Sequence, residues 1–232
     1  MQKFDELELL DVIVKANCSI GASYLSKTLD VPQATIGRQL KKLEDAGYLE
    51  KDSNKGRRLT QAGYDFYEEQ KQMEVRKKSM DKLVGLIEEP NKKNLLEIIE
   101  IRKRLEEMAV ILTCKNITQE QIAELEAIML AYSVEIRHGG SASELDLQLH
   151  LSIARFSGNN MLYRILKMLL TTDDAYVKYH SISKSLENRS LCVTQHDEIV
   201  SAIKQRDVTA ACEKMTIHLN KVIKDTEQFC DL

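Results

Sequence analysis

Most of this chain can form long helices, because its 232 residues include only two prolines, Pro32 and Pro90. Proline interrupts a helix since it lacks a backbone N–H and its ring clashes with the preceding turn. Pro32 can occupy the first turn of a helix that starts near Gln33. Pro90 follows a long helical stretch and marks the predicted end of a linker. A chain of this length is expected to form two domains, each able to bury a core.

The N-terminal part has the pattern of three helices followed by a β-hairpin. Apolar residues recur at helical spacing in three segments, and Gly47 ends the third. Two short strands follow, joined by turn-forming residues. The predicted helices cover residues 4–16, 22–29 and 32–46, and the predicted strands cover residues 48–51 and 57–60. This order is that of a winged helix-turn-helix.

Basic residues concentrate on the third helix and the hairpin, although the formal net charge of the chain is −3. A weakly charged domain can still bind DNA if its bases share one face. The alternative is a solvated basic face without a partner. Near the N-terminus of the third helix, where base edges are read, lie Gln33, Ala34, Thr35 and Arg38; Lys41 and Lys42 are placed for phosphates, and Lys55, Arg57 and Arg58 for backbone or minor groove.

The remainder of the chain predicts helices and no strand. A long, heavily charged helical pattern covers residues 60–89, and helices are then predicted over 91–115, 144–157, 160–182, 190–205 and 207–229, with a further one between Thr118 and Gly139. Thr118 with Gln121 and Ser141 with Glu144 are candidate capping boxes, and Asp207 is a candidate N-cap. The fold class is therefore mainly α. We assign residues 1–70 to the winged helix-turn-helix, 71–90 to a linker helix and 91–232 to an all-helical domain.

Four side chains of the helical domain form a candidate metal site. Asp146 and His150 are four residues apart, so both project from one face of a helix. His196 lies near the start of one predicted helix, and His218 lies inside the last. One carboxylate and three imidazoles suit a divalent transition metal such as Zn²⁺, Ni²⁺ or Mn²⁺. Taken singly, a helical ion pair explains the Asp146–His150 spacing and a helix-terminal histidine explains His196.

Four ordered motifs in this region resemble the FCD domain, the effector domain of the FadR subgroup of GntR-type transcription regulators. The resemblance covers roughly residues 95–225. The motifs are R-x-x-L-E at residues 102–106, D-x-x-x-H-x-x-I-A-x-x-S-G-N at 146–159, a block similar to E-H-x-x-I-x-x-A-I-x-x-x-D-x-x-x-A at 195–211, and M-x-x-H-L at 215–219.

The resemblance implies an antiparallel helical bundle with a metal at the floor of a pocket. The ligands it implies are Asp146, His150, His196 and His218, with Zn²⁺ preferred over Ni²⁺ or Mn²⁺, and with open coordination positions for water or a carboxylate effector. Arg102 would face the same pocket and pair with the carboxylate. The alternative for Arg102 is a surface arginine paired with Glu106 one helical turn away. His138 and His180 match no ligand position.

The N-terminal half departs from the GntR pattern. GntR regulators carry S-R-T-P-V-R-E-A-L in the recognition segment, whereas Gly37 stands here where that pattern has its second arginine. The segments Thr35–Arg38 and Leu59–Gly63 resemble MarR-type or generic winged helices instead. Arg38 is therefore placed as a base-reading residue on geometry alone.

These patterns predict a homodimeric transcription regulator, a repressor or an activator, whose affinity for operator DNA is controlled by a small carboxylate at the metal. Two alternatives keep DNA binding but make the metal the signal itself, or purely structural. A hydrolase would need a general base near the metal, and no second cluster of titratable residues offers one, so we do not expect an enzyme. No apolar run approaches the roughly 20 residues that span a bilayer, and a cytoplasmic protein is expected.

Overall fold

The computed structural model describes residues 6–52, 55–88, 91–171 and 186–229, with the side chains of 186–189 and 229 left aside. Two compact units are present, Met1–Lys82 and Leu83–Leu232. The predicted fold class is confirmed: a winged helix-turn-helix forms the first unit and an antiparallel helical bundle the second. Pro90, the predicted end of the linker, lies outside the described residues. Within the described ranges, no helix is both long and apolar enough to cross a membrane.

The described part of the first unit begins with three helices and a two-stranded antiparallel hairpin. The elements are α1 (Glu6–Ala16), α2 (Ala22–Leu29), α3 (Gln33–Asp45), β1 (Leu49–Asp52) and β2 (Gly56–Leu59). Leu49 pairs with Leu59 across the hairpin, and Ile20 and Arg57 exchange two backbone hydrogen bonds of 2.9 Å. Gly56 has a φ of +118°, and a Cβ there would lie 2.2 Å from the carbonyl oxygen of Ile20. Only glycine allows this close pairing.

The core of the first unit explains why α3 presents a polar face. Ile36, Leu40 and Leu43 lie at helical spacing and are buried in the core that α3 shares with α1 and α2. The residues opposite this stripe, including Ala34 and Arg38, are exposed. The helix begins directly after Pro32, as the sequence predicts.

A single helix, α4 (Gln61–Glu88), follows the hairpin, which confirms the predicted long helix. Its first turn packs very close to the chain before β1, since a Cβ on Gly63 would lie 2.0 Å from the carbonyl oxygen of Tyr48. Tyr67 on the same helix is buried and donates a 2.7 Å hydrogen bond to Asp11 of α1. These contacts attach the start of α4 to the winged helix-turn-helix.

The second unit is a bundle of helices. They are α5 (Lys92–Asn116), α6 (Gln119–Arg137), α7 (Ser143–Phe156), α8 (Asn160–Leu170), α9 (Leu186–Lys204) and α10 (Val208–Phe229). Helix α5 packs along α10, α7 lies against α5 and α6, and α9 lies against α6 and α10. Leu149, Ile153, Ile199 and Leu219 belong to the resulting apolar core. This packing points the inner faces of α5, α7, α9 and α10 toward one another.

Two of the three predicted caps of this unit are confirmed. Thr118 and Gln121 form a capping box, and Asp207 accepts a 2.9 Å hydrogen bond from the amide of Ala210. The box of Ser141 and Glu144 is wrong, because α7 starts only at Ser143, after Ala142 in a left-handed conformation with φ 52°. The helix predicted over 160–182 is seen over Asn160–Leu170, and the part from 172 onward lies outside the described residues.

Candidate functional site

Three helices of the second unit bring the predicted ligands together. Asp146 and His150 stand one turn apart on α7, His196 lies on α9 and His218 on α10. All four residues are at most 4% exposed. Leu149, next to His150 on the same helix, belongs to the apolar core. Charged and polar side chains so deeply buried are costly unless they are paired or bind an ion.

The distances among these side chains suit a shared ion. The Nε2 atoms of His196 and His218 are 3.2 Å apart, and Asp146 Oδ1 lies 3.3 Å from His196 Nε2. Asp146 Oδ2 lies 3.9 Å from His150 Nε2. The three histidines each offer a nitrogen within 4.8 Å of the others. Ligand atoms held at about 2.1 Å from one Zn²⁺ in a tetrahedron are separated by roughly 3.4 Å, so the cluster could hold a divalent metal.

In the His150 and His218 rings, a hydrogen bond at Nδ1 determines which ring nitrogen carries no proton. Glu106 on α5 accepts a hydrogen bond from His150 Nδ1, and Gln195 Oε1 accepts from His218 Nδ1 at 3.2 Å. A proton on Nδ1 leaves Nε2 as a lone pair directed into the cluster. His150 Nε2 accordingly has no hydrogen-bond partner among the described residues. An orphaned buried lone pair of this kind fits a metal ligand.

Burial keeps two of the rings neutral. It lowers the pKa of His196 to about 4; the negative charge of Asp146 opposes this shift, and the positive charge of Arg102 adds to it. Burial also lowers the pKa of His218 well below its usual value, and the positive charge of Arg102 adds to this shift. Both imidazoles are therefore neutral near pH 7, with a proton on only one ring nitrogen, which is the form in which a histidine binds a metal.

Glu106 carries the opposite charge in the same region. Burial alone would raise the pKa of its carboxyl group, but Arg102 and His150 outweigh that effect and lower the pKa to about 2. Glu106 is therefore ionised near pH 7 and can only accept hydrogen bonds. Its second oxygen accepts from Arg102 Nε. A charged pair thus lies directly behind His150.

The position of Arg102 combines the two alternatives that the sequence leaves open. Its side chain pairs with Glu106 one turn along α5, as the surface alternative predicts, but it is buried and not on the surface. An effector contact of Arg102 stays a prediction. His138 is exposed at the end of α6, and His180 lies outside the described residues.

Glu106 and Gln195 contact the histidines of this site, although the sequence did not predict them there. Both residues stand inside recognisable motifs, since Glu106 ends the R-x-x-L-E motif and Gln195 directly precedes His196. A motif shows that a position matters, whereas the contact with a ring nitrogen depends on how α5, α7, α9 and α10 pack. These two residues are the partners that orient His150 and His218.

The predicted DNA-contacting residues lie on α3 and the hairpin of the first unit. Those with exposed side chains are Gln33, Ala34, Arg38, Lys41, Lys42, Lys55 and Arg58, while Thr35 and Arg57 are half-buried. Acids accompany several of these bases: Lys41 contacts Asp45 at 2.7 Å, Lys42 contacts Glu6 at 3.3 Å, and Arg58 contacts Glu50 at 2.7 Å. DNA phosphates would compete with such exposed pairs at little cost.

Arg57 differs from the other bases of the hairpin. Its Nε donates a 2.8 Å hydrogen bond to Glu44 of α3, and the two side chains are only 22% and 24% exposed. This hydrogen bond lowers the pKa of Glu44. The pair joins β2 to the end of α3, so Arg57 has a structural role besides the DNA contact that remains predicted for it.

Two family models match the chain. Residues 97–221, more than half of the 232 residues, match the FCD domain. Residues 22–51, which include α3 and its neighbours, match the model described as "Bacterial regulatory protein, arsR family". No curated protein matches the chain.

Solved structures with the same fold share little sequence with the chain. A protein from Listeria monocytogenes, described as Lar that "controls the expression of the Listeria monocytogenes agr system and mediates virulence", has a TM-score of 0.56 at 11% identity and covers 99% of both chains. McbR/YncC of E. coli has a TM-score of 0.53 at 17% identity, with 96% of this chain and 95% of that chain covered. These likenesses concern the fold. With an FCD match over more than half of its length and a helix-turn-helix match before it, the chain is a transcription regulator of the FCD-domain family.

Proposed function

We propose that this regulator binds operator DNA as a homodimer, and that a small carboxylate bound at a divalent metal in the second unit controls its DNA affinity. The observation that carries the proposal is the convergence of Asp146, His150, His196 and His218, with the Nε2 lone pair of His150 left without a partner in the described part of the chain. This donor set favours Zn²⁺, with Ni²⁺ and Mn²⁺ as alternatives.

The charges around the cluster favour an anionic effector. A bound divalent ion would attract a carboxylate to a coordination position that the protein does not fill. Asp146 is the one acidic ligand, and the charge of Glu106 is offset by Arg102. The positive charge of Arg102 also reaches the cluster, since it contributes to the lowered pKa values of His196 and His218. Arg102 therefore remains our candidate for an electrostatic contact with the effector.

Helix α3 and the hairpin provide the DNA-binding face. Gln33, Ala34, Thr35 and Arg38 would read base edges in the major groove, which is wide enough for one helix. Around them, Lys41, Lys42, Lys55, Arg57 and Arg58 would contact phosphates or the minor groove. The exposure of Arg38 opposite the buried Ile36 and Leu40 supports this assignment.

Helix α4 supports the homodimer. Phe66, Met73 and Met80 recur every seven residues along one face, and Met73 and Met80 are 46% and 55% exposed. Acids dominate residues 61–74 and bases dominate residues 75–82. Two copies paired in antiparallel orientation would bury the apolar stripe and oppose the two charge blocks. Met73→Glu should lower the dimer fraction measured by analytical ultracentrifugation, whereas Val75→Glu, on another face, should not.

The experiment for the main proposal uses DNA selected by the purified protein from a random-sequence pool. DNA affinity is measured by fluorescence anisotropy at one fixed salt concentration, because salt alone changes such affinities strongly. The protein is tested with a chelator, with Zn²⁺, and with Zn²⁺ plus a panel of small mono-, di- and tricarboxylates. We expect at least one carboxylate to change DNA affinity, and to lose this effect in His150→Ala and His218→Ala. Failure to select any DNA would refute the proposal that the protein binds operator DNA.

The deep burial of the four ligands favours one second candidate, in which the metal is the signal or a structural element. Calorimetric titration of the Zn²⁺-loaded protein with the same carboxylates separates the cases. Binding of none of them, together with a metal-dependent DNA affinity, would identify a metal sensor. A DNA affinity that responds to neither metal nor carboxylate would leave the metal a structural role.

A further inference from the structure

We propose that Glu106 and Arg102 are positioning residues that hold the proton of His150 on Nδ1 and thereby keep Nε2 bare for the metal. The inference rests on the metal site of the proposed function and adds two residues that do not touch the ion. It predicts that the identity of residue 106 decides the tautomer of His150, with or without metal present.

The two oxygens of Glu106 have separate partners. Oε2 accepts from His150 Nδ1 across the contact between α5 and α7, and Oε1 accepts from Arg102 Nε on the same helix. The carboxylate is 1% exposed, so water cannot replace either partner. A group with both oxygens occupied by donors cannot rotate away from His150 without leaving a buried charge unpaired.

Arg102 determines which atom of residue 106 faces His150. An ionised carboxylate accepts on both oxygens, so His150 must supply a proton at Nδ1 and its lone pair must lie on Nε2. The guanidinium has only donors, so whatever group stands at position 106 must turn an acceptor toward Arg102. Arg102 thus controls which atom of residue 106 remains for His150.

A buried ion pair in a helical bundle is itself informative. Desolvation makes such a pair a poor way to stabilise a fold, and apolar residues of similar size often do as well or better. Glu106 and Arg102 lie in the same unit as an apolar core that includes Val110 and Leu149. Orientation of the His150 ring explains the presence of the Arg102–Glu106 pair, whereas a contribution to stability does not.

The three histidines also differ in the hydrogen bond that their Nδ1 atom makes. His150 is held by a carboxylate and His218 by the neutral amide of Gln195, while His196 Nδ1 has no hydrogen-bond partner among the described residues. Hydrogen bonds to a charged acceptor are roughly twice as strong as neutral ones. His150 is therefore the ring whose tautomer is most firmly set, and Glu106 is the residue to test.

Glu106→Gln makes the sharpest test because it keeps the shape of the side chain. The Gln oxygen must face the Arg102 donor, which turns the amide NH₂ toward His150 Nδ1. That nitrogen must then accept, so the proton moves to Nε2 and blocks the ligand position. In the metal-free variant, ¹⁵N-labelled histidine NMR should show His150 protonated on Nε2, whereas the unaltered protein should show it protonated on Nδ1.

Metal affinity provides the second readout. Competition with a chelating dye should show Zn²⁺ bound about 10- to 100-fold more weakly by Glu106→Gln, the usual effect of losing such a partner. Glu100→Gln, an exposed change of the same charge on the same helix, should bind like the unaltered protein. In Arg102→Met with Glu106→Gln, the Gln oxygen is free to turn to His150, so the Nδ1 proton and part of the affinity should return.

Each outcome has one reading. An unchanged tautomer and unchanged affinity in Glu106→Gln would overturn the proposal, and so would an Nε2-protonated His150 in the unaltered protein, a result that stands even if the variant fails to fold. A double variant no better than Glu106→Gln would remove Arg102 from the proposal. If the unaltered protein binds no Zn²⁺ but the tautomer inverts as expected, the proposed function fails while the role of Glu106 stands.

Discussion

The candidate metal cluster and the proposed DNA-binding face use charged residues in opposite ways. In the cluster every charged side chain is buried, and Glu106, for example, has a donor on each oxygen. On α3 and the hairpin most bases are exposed, and Lys41 and Arg58, for example, pair with acids that solvent also reaches. Burial makes a polar contact costly to lose, whereas exposure makes it cheap to exchange. Single substitutions should therefore have large effects in the cluster and graded effects on the face.

The largest effect is expected from metal binding itself. Zn²⁺ at about 100 times its Kd should stabilise the protein by about 2.7 kcal/mol, which raises the Tm by roughly 5–10 °C for a protein of this size. The combined change His150→Ala with His218→Ala should abolish the shift in a thermal melt with and without chelator. His138→Ala, at an exposed position, is the control, and a shift that survives the double change would place the metal elsewhere.

Arg38 should show the next largest effect, because we propose that its exposed guanidinium reads base edges. Arg38→Ala should weaken binding to the selected DNA by about 1–3 kcal/mol and relax sequence preference at one position. Anisotropy titrations with the selected sequence and with single-base variants measure both quantities. Equal weakening on every sequence would make Arg38 a phosphate contact and would transfer base reading to its neighbours.

Arg57 and Arg58 are adjacent and test burial within the exposed face. Arg57→Gln removes the hydrogen bond that joins β2 to α3 through Glu44, so we expect a measurable fall in the Tm. Arg58→Gln removes an exposed pair with Glu50 and should leave the Tm unchanged. Both melts are run without DNA. Equal Tm values for the two variants would show that the half-buried pair contributes no more than the exposed one.

Lys41 should show the smallest effect. Lys41→Ala should weaken binding to all DNA sequences alike and lower the slope of log affinity against log salt by about 1. The pairing of Lys41 with Asp45 is exposed and is expected to yield to a phosphate. Repeating the anisotropy titration at four salt concentrations measures the slope, and an unchanged slope would exclude a phosphate contact.

Periodicity and motif spacing predicted most of the helices. The helices of the winged domain, the hairpin and the long α4 follow from apolar spacing, Gly47 and the turn residues. The capping box at Thr118 was predicted because it is a purely local arrangement. Ser141 was wrongly predicted as a cap, since Ala142 adopts a left-handed conformation that moves the start of α7 to Ser143. No local sequence pattern predicts the left-handed conformation of Ala142.

In the candidate site, too, local sequence predicted some features and tertiary packing determined the others. The sequence by itself determined that Asp146 and His150 share a helical face, because one turn separates them, and its motifs pointed to His196 and His218 as their companions. Only the tertiary structure decided that the four groups meet, since His196 and His218 are 22 residues apart and reach each other through the packing of α9 on α10. Glu106 became part of the site for the same reason: a neighbour across two helices is set by packing, and sequence spacing does not encode it.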